Sequence, residues 1–208
     1  MNVRSIAEYL GEKAGLDAET RDVVRFGIES LYLFVAGLLA VTLVAWLLGC
    51  IPEALAATGV VVVLRSFAGG AHLTGPGRCM AVTALLFPAL GKAAQTIAAW
   101  DSVVPAFITV TPFVCLLAVL ILAPVDNPAK PIRTAAHRRR LKILAAAAVS
   151  AAAAVQAALL AAGASGEVMA VAAGLGLLWQ SFILTSAGHA VMHAADRILG
   201  GRRSEKGV

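Results

Sequence analysis

A chain of 208 residues that is 60% hydrophobic and 14% charged, with a mean hydropathy of +0.85, departs from soluble domains, which are roughly half apolar and about a quarter charged. That balance excludes a disordered chain, argues against a water-soluble globule, and makes lipid the solvent of a single domain. The net charge of +5 invites a nucleic-acid partner, but the placement of the charges assigns them to membrane topology, so no nucleic acid is expected.

In chain order, Val3, Ile6, Ala7, Leu10 and Ala14 recur at helical spacing. Residues 2–14 therefore read as an amphipathic interfacial helix on the inner leaflet. Its charged, mixed composition is unlike the apolar core of a cleavable signal. Gly15 is placed to end it, and Asp17 to cap a second helix with Glu19 in its first turn. Arg25 and Glu29 are spaced for an i,i+4 pair. Crossing a bilayer takes about 20 mostly apolar residues, and six stretches qualify: 28–49, 52–71, 79–100, 102–123, 142–163 and 168–190. Prolines 88, 105 and 112 fall inside or near the ends of these spans and predict kinks. The expected class is thus all-α and polytopic. One membrane domain covers 1–208: a cytoplasmic segment 1–27, a six-helix core 28–190, and a cytoplasmic tail 191–208.

Basic residues set the orientation. Of the 17 Lys and Arg residues, 16 lie on alternate connections: before span one, between spans two and three, between spans four and five, and after span six. Only Lys92 does not. Both termini are then cytoplasmic. This alternation requires span two, whose apolar run is short and ends at Arg65.

The connection between spans two and three reads Arg65-Ser-Phe-Ala-Gly-Gly-Ala-His72-Leu-Thr-Gly-Pro-Gly-Arg-Cys79. Gly69 and Gly70 can release the chain from helix. Gly75-Pro76-Gly77 makes a turn, and Thr74 is a candidate N-cap for span three. Cys79 falls near the start of that helix, where the positive end of the dipole and neighbouring Arg78 favour a charged sulfur. Two helix ends joined by a short loop are close in space, so His72 and Cys79 can meet as general base and nucleophile. Backbone N–H groups around the glycines can hold an oxyanion. The alternative is that His72 is a polar residue at the membrane boundary and Cys79 a packing residue.

This stretch resembles the signature of the accessory gene regulator B (AgrB-like) family: an Arg, a Gly-Gly pair, a His and, seven positions later, a Cys. Ala123-Pro-Val-Asp-Asn-Pro-Ala-Lys-Pro-Ile132 resembles the family's second motif. The resemblance implies a bacterial, multi-pass membrane cysteine endopeptidase with its site on the cytoplasmic side. It implies His72 as base and Cys79 as nucleophile, and it implies no metal or organic cofactor. The partner it implies is an AgrD-like precursor, cleaved through a Cys thioester and cyclised to a thiolactone or lactone quorum-sensing signal.

Further candidates surround the dyad. Asp126 and Asn127 are placed to orient His72, although Asp-Asn-Pro also simply makes a turn. Arg65, seven residues before His72, shares its face if the helix continues, and Arg65, Gly69, Gly70, Arg78, Asp126 and Lys130 are candidates for binding substrate or supporting the site. The basic cluster 130–142 attracts anionic lipid or an acidic precursor tail. Lys92, 13 residues beyond Cys79, belongs to the outer half of its helix and reads as a snorkelling or inter-helix residue. His189, His193 and Asp196 share a helix face that can bind zinc, but they lack a clear fourth ligand and read mainly as structural. Three scattered cysteines without a CxxC pair make no disulfide framework or thiolate cluster, and Cys50 and Cys115 read as packing residues. Small residues along several spans permit a homodimer. The competing functional readings are a small peptide exporter or transporter without protease activity, and a membrane scaffold.

Overall fold

The computed structural model of the protein describes residues 13–71, 73–126, 132 and 134–200. Seven helices and no strands fall among them. They are α1 (Ala18–Leu48), α2 (Ile51–Ala68), α3 (Pro76–Ala98), α4 (Val104–Leu122), α5 (Ala135–Ala161), α6 (Ala164–Leu184) and α7 (Ser186–Ile198). The first six are long and apolar enough to cross a bilayer. The expected interfacial helix at 2–14 lies almost wholly outside the described residues.

Several helix limits differ from the sequence reading. α1 starts ten residues before the expected span, at Ala18, because Asp17 caps it by accepting the Thr20 N–H at 2.9 Å. The Thr20 side chain first, and then that backbone cap, hold the Asp17 carboxyl below the ordinary carboxylate range. Arg25 pairs with Asp22 at 3.0 Å. α2 ends at Ala68, since Gly69 takes a φ of 72° that breaks the helical ladder. The expected sixth span of 168–190 is two helices. α6 stops at Leu184, and Thr185, extended at φ −82° and ψ 160°, serves as C-cap of α6 and N-cap of α7. Its hydroxyl donates to the Phe182 carbonyl at 2.7 Å and accepts from the Gly188 N–H at 3.1 Å. Pro105 sits in the first turn of α4, where a missing N–H costs nothing, whereas Pro88 and Pro112 are internal.

α6 is the central helix and touches α2, α3, α4, α5 and α7. Lipid is as apolar as leucine, so helices here associate by close packing rather than by burying oily surface. Small residues make that possible. Gly176 lies against the α2 backbone, where an added Cβ would sit 2.7 Å from the Ala57 carbonyl oxygen. Gly174 faces Phe107, Thr111 and Gln156 with equally little room. Some buried polar groups find partners in this low-dielectric interior: Ser181 donates to the Leu177 carbonyl and the Gln156 amide nitrogen to the Ala170 carbonyl. The Gln156 amide oxygen and the Thr111 hydroxyl are buried without a partner among the described residues.

The two ends of the bundle are chemically distinct. At one end the Lys92 ammonium donates to Gln95, whose amide donates to Glu53 and the Gly49 carbonyl, linking α3 to the α1–α2 turn. Lys92 thus pairs within its own helix, and Gln95 is the residue that reaches across. At the other end the α2–α3 and α4–α5 connections meet, with the Val125 N–H donating to the Ala68 carbonyl at 2.9 Å.

An alanine at Gly176 is expected to lower stability by about 1–3 kcal/mol through overpacking. At Gly37 of α1 an added Cβ meets nothing within 4 Å, so alanine there is expected to be neutral or to stabilise by up to about 1 kcal/mol. Thermal unfolding of the two variants in detergent micelles measures the contrast.

Candidate active site

The backbone before His72 is held from three sides. Gly69 (φ 72°) donates its N–H to the Arg65 carbonyl at 3.0 Å. Its Cα faces the α4–α5 connection so closely that a Cβ would lie 2.6 Å from the Val125 carbonyl oxygen. Its own carbonyl accepts from the side-chain amide of Gln180 at 3.0 Å. Gly70 (φ 131°) packs on Ile183, and the Ala71 N–H donates to the Ile183 carbonyl at 3.0 Å. Arg65 reaches past the end of α2, and its guanidinium donates to the Ala71 carbonyl. The shared-face expectation for Arg65 and His72 fails because the helix stops at Ala68. Arg65 instead grips the peptide unit that leads into position 72. His72 itself, like Asn127 and Lys130, lies outside the described residues.

Beyond it, Leu73 is buried with Ala71, Ile183 and Met192, and the half-buried Cys79 packs against this cluster. The N-cap of α3 is Gly75, with no side-chain cap, and Pro76 fills the first turn. Thr74 is therefore not the cap expected from sequence. Its hydroxyl and N–H both donate to one oxygen of Asp196 on α7. The other oxygen takes the Arg78 guanidinium at 3.0 Å, and Arg78 also donates to the Gly200 carbonyl at 3.2 Å. Arg78 thus fixes the turn. The Thr74 hydroxyl first, and then Arg78, hold the Asp196 carboxyl below the ordinary carboxylate range. Cys79 makes its backbone bond to the Gly75 carbonyl at 3.1 Å, so its place follows directly from that turn.

The Cys79 side chain lines a cleft of about 560 Å³ between α1, α2 and α3. Its walls are largely apolar, including Leu33, Phe34, Gly37 and Val62, and Arg65 brings the one guanidinium. A smaller cavity of about 150 Å³, lined by Leu73, Trp179 and Met192, touches the same cysteine and the same arginine. Arg65, not Arg78, is therefore the cation that shares a cavity with the sulfur.

The other candidates are placed as follows. Asp126 accepts from the Ile132 N–H at 3.0 Å and pairs with Arg138 at 3.5 Å, closing its own connection. Cys50 and Cys115 are free and buried, with the Cys50 thiol 3.5 Å from the Pro88 carbonyl. The His189 ring lies 2.8 Å from the Thr185 carbonyl, while Asp196 is committed to Thr74 and Arg78. Among the described residues no group of three His, Cys, Asp or Glu side chains could hold a metal. Sequence reasoning missed Gln180, for which the available signal was an amide in an apolar span. It also singled out Asp196 for its helical spacing to two histidines rather than for its true partners.

Compared with known protein families, residues 3–184 match Accessory gene regulator B. The chain belongs to the AgrB family. The match covers α1 to α6 and ends before α7. Two curated proteins of Clostridium perfringens that are named AgrB-like are similar. The AgrB-like protein 2 of strain 13 / Type A is 25% identical over 140 residues, 66% of this chain and 65% of that protein. The one from strain SM101 / Type A is 24% identical over 140 residues with the same coverage. This chain therefore spans 65% of the length of each relative. No solved structure matches it.

Two outcomes follow for this AgrB-family site. Gly69→Ala combines a left-handed backbone with a clash against a carbonyl, and is expected to cost about 1–3 kcal/mol or more in thermal unfolding. The depressed Asp196 carboxyl stabilises the fold above the ordinary carboxylate pKa and loses that effect as pH falls through its folded value. Amide protection over residues 73–79 should therefore stay flat from about pH 8 to about pH 5 and drop only below about pH 4.

Proposed function

We propose that this protein is a membrane cysteine endopeptidase that removes the C-terminal part of an AgrD-like signalling precursor and closes the remaining peptide into a ring. The observation that carries the reading is the position of Cys79: a thiol at the first turn of a helix, opening into an apolar cleft beside Arg65. From Ser30 to Val41 the cleft follows α1 for roughly 16 Å, the length of about five extended residues.

In this reading His72 takes the Cys79 proton, and the thiolate attacks a precursor carbonyl. The tetrahedral oxyanion collapses, and the amine of the C-terminal tail leaves with the proton returned by His72. The peptide then remains on Cys79 as a thioester. A cysteine thiol or serine hydroxyl within that peptide attacks the same carbonyl, forming the thiolactone or lactone and releasing the Cys79 thiol. Water would hydrolyse the thioester, so an apolar, membrane-embedded cleft favours the ring. The alternation of basic connections supports a cytoplasmic position for this chemistry, where Lys130 and the basic run 130–142 would attract an acidic tail.

Intact mass of the purified protein, incubated in lipid nanodiscs with a synthetic AgrD-like precursor, tests the proposal. A Cys79 adduct equal to the precursor less its tail is expected, absent in Cys79→Ala and in His72→Ala. Intact precursor with no Cys79 adduct would favour an exporter, and tail release that persists in Cys79→Ala would contradict Cys79 as the nucleophile.

A further inference from the structure

α7 lies beyond the stretch that matches the family, yet one face of it is buried. Gly188, Met192 and Asp196, at i, i+4 and i+8, are its inward residues: Gly188 packs on the end of α6, and Met192 and Asp196 cover the connection between α2 and α3. Asp196 makes the polar contacts of that face: the Thr74 hydroxyl, the Thr74 N–H at 3.3 Å, and Arg78 at 3.0 Å. These contacts bracket residues 74–78, the turn that separates His72 from Cys79 in the chain. They bring together residues 118 and 122 positions apart, across a segment whose own N-cap, Gly75, offers no side chain.

We propose that Asp196 is a positioning residue for the Cys79 thiol, holding the 74–78 turn so that the first turn of α3 presents the sulfur at a fixed point of the cleft. The inference rests on the reading of Cys79 as nucleophile. One carboxylate takes both donors of Thr74 and the charge of Arg78, so a single substitution leaves the turn only the Arg78 bonds to the Thr74 hydroxyl at 3.4 Å and to the Gly200 carbonyl at 3.2 Å. Without the carboxylate, Arg78 loses its ion-pair partner and Thr74 its acceptor. The Gly75 carbonyl that receives the Cys79 N–H then shifts with the turn. Asp196 touches neither the cleft nor the sulfur, so it alters the rate of attack and leaves peptide binding in the cleft intact.

The test uses the full chain in detergent and an N-acetylated apolar dipeptidyl chloromethyl ketone, whose chloride a Cys79 thiolate displaces; peptide mass mapping assigns the label. Asp196→Ala is expected to lower the limiting rate of alkylation by about 10-fold or more while the inhibitor constant stays within about 3-fold. Asp196→Asn, which keeps an acceptor oxygen for Thr74, should recover part of that loss. Thr185→Ala removes the N-cap of α7 without touching the carboxylate, and should leave the limiting rate within about 3-fold despite a lower thermal stability. Wild-type labelling in Asp196→Ala would overturn the proposal, as would an equal loss in Thr185→Ala. Wild-type labelling no faster than that of His72→Ala would instead sink the peptidase reading. The clamp is then read by hydrogen exchange over residues 73–79, where unchanged protection in Asp196→Ala overturns it and lost protection sustains it.

Discussion

Two glycines that adopt backbone angles closed to other residues join three separate parts of this membrane bundle. At Gly69 and Gly70 the chain leaves α2 and is pressed between the Val125 carbonyl on one side and Ile183 on the other. The polar groups of that short stretch are met by Gln180, Ile183, Val125 and Arg65. A backbone that exits a helix inside the packed bundle must find such partners within the protein. The result is a loop fixed by α2, α6 and the α4–α5 connection at once, and the segment carrying His72 and Cys79 starts from that fixed point.

The rest of the bundle supports this junction. α6 is the element most fully enclosed, and its small residues let α2 and α4 approach its backbone. With little hydrophobic force between helices in lipid, that contact is van der Waals packing supplemented by a few buried amides. Gln180 illustrates the second part, since a buried amide without its Gly69 carbonyl would be costly. The same helix therefore packs the core and anchors the loop.

Much of this was legible in the sequence, for a physical reason. A bilayer demands long apolar runs, so six spans stand out even where Arg65 cuts one short. Gly69-Gly70 marked the helix end because the backbone there needs positive φ, and Asp17 marked a helix start because a free N–H wants an acceptor. What could not be read were contacts between distant parts of the chain. Thr74-Gly-Pro looks like a helix cap, yet Asp196, 122 residues away, takes its hydroxyl. Arg78 looked like a charge for the nearby sulfur, and the same aspartate takes it. The break at Thr185 was passed over because Thr185 and Ser186 sit between apolar stretches that add up to one span's length. The residues of the candidate site were legible from a motif, while the framework that orients them depends on long-range pairing.

The central claim is that the Cys79 sulfur and the His72 imidazole meet beside the cleft formed by α1, α2 and α3. An experimental structure of the protein with a peptidyl inhibitor bonded to Cys79 measures this most directly. The account predicts the His72 ring within hydrogen-bond reach of the modified sulfur and the peptide lying between α1 and α3. A His72 ring turned away from Cys79, with the peptide outside that cleft, would contradict it.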